Sequence, residues 1–104
     1  MITLSATVRQ TVSRPINDVF AFVGEPTNMV LWVDGVTNVQ RDGNNPLIVG
    51  DSFTSDYTYA GKTDPVVYEV REFSPPTKLL FASTQGPFDF TIRVALEFVW
   101  KISV

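Results

Sequence analysis

Every second residue from Phe88 to Val104 is apolar: Phe88, Phe90, Ile92, Val94, Leu96, Phe98, Trp100, Ile102 and Val104. Asp89, Thr91, Arg93, Glu97, Lys101 and Ser103 fill most of the positions between, the period of two that marks a strand with one buried face. At about 3.3 Å per residue the run would extend over roughly 50 Å, so it is expected to bend, bulge or project beyond its sheet. The first segment alternates in the same way. Ile2, Leu4, Ala6, Val8 and Val12 stand against Thr3, Ser5, Thr7, Arg9 and Thr11, with Gln10 the exception.

The period changes after Ser13-Arg14-Pro15. Ile16, Val19, Phe20 and Val23 follow the i, i+3, i+4, i+7 spacing of one helical stripe, with Pro15 suited to the first helical position and Ser13 to the cap. That helix is predicted to end near Gly24. A second, from Pro26 to about Val33, carries Met29, Val30 and Trp32; it is too short to persist unpacked, which places Trp32 in the body of the domain or at a cavity mouth. Strands are predicted over 36–41, 52–59, 65–73 and 78–84. They are separated by the Asp42-Gly43-Asn44-Asn45-Pro46 loop, a turn around Ala60 to Asp64, and the Ser74-Pro75-Pro76-Thr77 and Gln85-Gly86-Pro87 breaks. About six strands in meander order, with two short helices inserted after the first, predict an α+β fold with an antiparallel sheet, because tight turns supply no parallel crossovers.

Composition narrows the field. A length of 104 residues suits a single domain over 1–104, and 44% hydrophobic with 18% charged residues excludes disorder. Eight Phe promise a bulky interior or a lined cavity. The net charge is -3 and the eight basic residues are scattered from Arg9 to Lys101, which argues against a nucleic-acid partner. Neither a basic leader nor a bilayer-length apolar stretch is present, so a soluble, cytoplasmic protein is expected. The chain has no Cys and no His, removing thiolate nucleophiles, the usual zinc ligands and imidazole triads; no metal or cofactor is expected.

Several segments, in order, resemble the START-like helix-grip superfamily (SRPBCC) and within it the polyketide cyclase/dehydrase and lipid-transport branch. They are the Pro-started helix with Val19-Phe20, Glu25-Pro26, Trp32, Gly50-Asp51-Ser52-Phe53, Val70-x-Glu72-Phe73-Ser74-Pro75-Pro76 and Lys78-Leu79. The resemblance runs from Ile2 to about Ile92. It implies a curved antiparallel sheet wrapping a long C-terminal helix and enclosing an apolar cavity for a hydrophobic small molecule. The chain departs from that pattern at its end, where Leu96 to Val104 contains neither a turn nor a helical stripe. A missing wall would uncover a broad apolar face, so self-association as a homodimer is expected, with Leu96, Phe98, Trp100 and Ile102 at the interface. The competing reading is a truncated or frame-altered relative with impaired activity.

Phe53, Tyr57, Tyr59, Tyr68, Phe81, Phe90 and Ile92 share the face that would line such a cavity, with Met29 and Trp32 near its entrance. Either they surround a lipid-like or polyketide-like ligand, the Tyr hydroxyls serving as anchors, or they fill the core. Asp56, Glu69, Glu72 and Arg71 are the candidates for proton chemistry. Asp56 and Glu69 fall on the faces opposite Tyr57 and Tyr68, where cross-strand pairs in water account for them. Asp42, Asn44 and Asn45 lack calcium-loop spacing and read as turn residues. Three functions stay open: ligand binding without chemistry, a cyclase or dehydratase, and an interaction module recruiting a partner through the last strand. The absence of His weighs against the enzyme.

Overall fold

The computed structural model describes residues 3–6 and 14–96. Six strands form one sheet in the order β1-β6-β5-β4-β3-β2, namely β1 (Thr3–Ala6), β2 (Val36–Arg41), β3 (Ser52–Tyr59), β4 (Lys62–Ser74), β5 (Lys78–Gln85) and β6 (Asp89–Ala95). Strands β2 to β6 are an antiparallel meander, and between β1 and β2 lie helix α1 (Ile16–Val23), a 3₁₀ turn (Pro26–Asn28) and helix α2 (Met29–Trp32). The α+β architecture is the one that the alternating pattern predicts.

The sheet departs from expectation at one edge. β1 runs parallel to β6, with Thr3 opposite Asp89 and Ala6 opposite Ile92. A parallel neighbour needs a long connection, and here the rest of the domain supplies it. β6 itself ends at Ala95, after which the Leu96 N–H donates to the Thr77 carbonyl at 2.7 Å. The remainder of the predicted long strand, with Phe98, Trp100 and Ile102, lies outside the described residues.

Local chemistry explains most of the boundaries. Pro15 sits at the N-cap of α1, one position earlier than expected, and among the described residues no side chain caps that end; Ser13, the expected cap, lies outside them. Glu25 caps the 3₁₀ turn, its carboxylate accepting from the Thr27 N–H at 3.4 Å. The β3–β4 connection is tighter than the predicted turn over 60–64. Ala60 (φ 48°) and Gly61 (φ 77°) make a two-residue type I′ hairpin that pairs Tyr59 with Lys62 and brings Lys62, Thr63 and Asp64 into β4. Pro65 is tolerated inside β4 because that strand gains its β5 neighbour only from Val67 onward.

Three irregularities set which side chains face inward. The β2–β3 register slips between Thr37 and Gln40 at Asn38, whose φ is 52°, and this turns Arg41 to the side occupied by Phe53. In β4 the extra residue Arg71 separates the Val70–Phe81 pair from Glu72–Leu80, moving Phe73 onto the concave face with Tyr68 and Val70. Phe73 there meets Phe20 of α1 at 5.3 Å between ring centroids. In β5, Thr84 is the extra residue between the Tyr68–Ser83 and Val67–Gln85 pairs.

The core is the concave face of β3, β4 and β5 together with Phe20, Met29, Val36 and Leu47. Phe53 stacks on Tyr68 at 4.8 Å and meets Phe81 edge-on at 5.0 Å. Beneath the Glu25–Pro26 corner lies a charged clasp. Arg41, with only 8% of its side chain exposed, donates from Nη1 to Glu25 Oε2 at 2.8 Å and from Nη2 to the Asn45 carbonyl, so the 42–47 loop is tied to the helical layer.

Candidate functional site

Tyr57 and Tyr59 point to the concave face of β3, as Phe90 does from β6 and Phe88 from the turn before it. Strands β3 and β6 are three places apart in the sheet, about 14 Å if it were flat. Yet the rings of Tyr57 and Phe90 are 4.7 Å apart and those of Tyr59 and Phe88 4.8 Å, both edge-on. The sheet therefore curls until its two sides touch. Tyr57–Tyr59 at 5.8 Å and Phe88–Phe90 at 5.9 Å complete a square of four half-buried rings.

Backbone chemistry holds the square in place. Gly35, at φ 83°, lets the turn after α2 press against β3: a Cβ there would stand 2.8 Å from the Thr58 carbonyl and 2.9 Å from the Tyr57 ring. The Thr58 N–H donates to the Gly35 carbonyl at 2.9 Å, fixing that approach. On the other side, the regular β5–β6 ladder stops at Ala82–Thr91. Ser83 Oγ takes over there, accepting from the Phe90 N–H at 2.8 Å and donating to the Phe88 carbonyl at 3.4 Å, which sets both Phe residues.

Polar groups border the rings on one side. Asp64 lies opposite Tyr57, and its Oδ2 accepts from the Tyr59 hydroxyl at 3.0 Å with Lys62 Nζ at 3.8 Å. Partial burial, reinforced by donation to the Asp64 carboxylate, pushes the Tyr59 phenol above its ordinary 10.0. Deeper in the curl, Ser55 and Tyr68 share a buried hydroxyl hydrogen bond of 2.9 Å. Burial also raises the Tyr68 phenol, against the opposing pull of Ser55.

The residues singled out by sequence thus divide into two groups. Phe53, Tyr68, Phe81 and Met29 are each at most 2% exposed and interlock as core, presenting no surface to a ligand. Tyr57, Tyr59, Phe90 and Ile92 are half-buried on the open part of the same face. Trp32 is half-buried against the core, its enclosed indole N–H donating to no described residue, and it borders a shallow depression of about 260 Å³ shared with Leu31, Asp34, Gly35 and Thr58. That depression does not reach the aromatic square. Leu96 packs against the core, and its expected interface companions fall outside the described residues.

The candidate carboxylates lie on the convex side. Asp56 accepts from Asn38 Nδ2 at 3.2 Å, and Glu69 pairs with Arg71 of its own strand at 3.0 Å, a correction to the cross-strand pairing expected for it. Glu72 borders a second depression of about 260 Å³ with Lys78, Leu80 and Arg93. Sequence reasoning missed Phe88 and Asp64 as site residues. Period-two alternation already placed Phe88 in phase with Phe90, and a shorter hairpin turn would have put Asp64 opposite Tyr57. Among the described residues no cluster of acidic side chains is arranged to hold a metal ion, and no helix is long and apolar enough to cross a membrane.

A curled sheet, antiparallel except at its β1 edge, with two short helices inserted after its first strand and its concavity lined by aromatic side chains, defines a START-like α+β domain. The chain belongs to the polyketide cyclase / dehydrase and lipid transport family, whose model matches residues 2–99. No curated protein and no solved structure gave a significant match.

Proposed function

We propose that this domain binds a hydrophobic small molecule, lipid-like or polyketide-like, without transforming it, and that it works as a cytoplasmic homodimer. The observation that carries the binding reading is the aromatic square. Tyr57, Tyr59, Phe88 and Phe90 stay partly exposed on the concave face, backed by a filled core and continued along β6 by Ile92 and Val94. Such a surface stabilises a flat apolar ligand through area removed from water and ring contacts.

The polar neighbours support holding over proton removal. The Tyr59 proton is committed to Asp64, and the raised phenol pKa keeps tyrosinate scarce at neutral pH, so this group anchors a ligand better than it acts as a base. Support for self-association comes from large apolar side chains left in water, Leu31 at 69%, Ile48 at 66% and Val49 at 61% exposure. The test of binding is native mass spectrometry of the chain purified from cells. A retained apolar ligand is expected in the wild type and absent from Tyr57→Ala; a ligand-free wild type that also binds no flat apolar probe overturns the reading.

A further inference from the structure

We propose that the polar corner at Lys62 and Asp64 makes the aromatic square select flat ligands carrying a hydrogen-bond donor at one end, a hydroxyl on a fused-ring body, with Asp64 Oδ1 as the acceptor. This rests on the binding reading above and adds a chemical class to it. Asp64 and Tyr57 are directly opposed across β3 and β4, so the carboxylate stands on the same face as the rings and at their border. Both of its neighbours use one oxygen: the Tyr59 hydroxyl and Lys62 Nζ approach Oδ2, while Oδ1 accepts no hydrogen bond from any described residue.

The side chain is 27% exposed and held by the Tyr59 hydroxyl, so an arriving donor meets a carboxyl oxygen that is already oriented. Lys62 is 68% exposed at 3.8 Å, too solvated to reverse the local preference, and a ligand carboxylate would meet Asp64 head-on. A ligand without a donor still covers the rings but leaves Oδ1 to give up water for nothing. The corner therefore discriminates by a donor, with the rings supplying the rest of the affinity.

Isothermal titration calorimetry of the full chain with three probes tests this: 2-naphthol, its methyl ether 2-methoxynaphthalene, and 2-naphthoate at neutral pH. The wild type is expected to bind naphthol about tenfold more tightly than the ether, as one hydrogen bond to a charged acceptor provides, and naphthoate most weakly. In Asp64→Ala the naphthol preference falls to within about twofold, whereas Tyr59→Phe, which keeps the carboxylate, retains a preference. Equal binding of naphthol and ether by the wild type, or tightest binding of naphthoate, overturns donor selection and leaves the binding reading standing. A preference that survives Asp64→Ala overturns the assignment of the acceptor. Failure of all three probes counts against the binding reading itself.

Discussion

Tyr68 carries a hydroxyl into the centre of the core, where Ser55 is its partner and both residues are at most 2% exposed. Removing either hydroxyl strands the other, so Tyr68→Phe and Ser55→Ala should each cost about 1–3 kcal/mol, and the double variant less than their sum. Urea denaturation of the four proteins measures the cycle. The same phenol gives a pH dependence. Its folded pKa lies above the ordinary 10.0, so the stability it contributes is fully present below about pH 10 and is lost as pH rises toward the folded value. Tyr68→Phe should therefore show a shallower alkaline loss of stability than the wild type when unfolding is followed between neutral and strongly alkaline pH. Arg41 poses the opposite problem, a buried cation. Glu25→Ala should cost about 2 kcal/mol or more by leaving it unpaired, and adding Arg41→Met should restore part of that loss in thermal unfolding.

At the level of elements, the Gly35 turn and the aromatic square form one unit. Gly35→Ala places a methyl against Tyr57 and the Thr58 carbonyl in a left-handed conformation, so it should lower stability by about 1–2 kcal/mol and weaken ligand retention together, read by melting and by native mass spectrometry. Such elements were largely legible in the sequence. β2 and β3 begin and end on the residues expected, and β3 keeps its alternation throughout, because one face is buried and a period of two leaves little choice. What escaped was every change of phase. The extra residues Asn38, Arg71 and Thr84 are not glycines and carry no local signal, yet they decide that Arg41 and Phe73 face inward. Asp64 was hidden for a related reason: Ala60 is an unusual residue for the first place of a type I′ turn, so the polar stretch up to Asp64 looked like loop and not strand. Tyr57, Tyr59 and Phe90 needed only the alternation to share a face. Their meeting with one another across the two intervening strands depends on the curl of the sheet, which no local pattern encodes.

The whole molecule is a sheet with its helical layer at one side. The 3₁₀ turn and α2 pack on β2, while the β6 side of the concavity meets β3 through the aromatic square. A homodimer should appear in light scattering as a species of twice the 11.6 kDa chain mass, and substituting Leu31 and Ile48 by polar residues should shift it toward the single chain if those side chains supply the contact. A compact monomer across the micromolar range overturns that part of the proposal.

The parallel pairing of β1 with β6 has a consequence for biogenesis. During synthesis β1 leaves the ribosome long before β6, its one partner among the described residues, exists, so this edge cannot close until nearly the whole described chain has been made. The meander from β2 to β5 is free of that delay, each of its hairpins joining neighbours in order. Nascent chains stalled before Asp89 should accordingly protect β3 and β4 from protease while leaving Thr3–Ala6 open to cleavage, which makes β6 the latch of this edge.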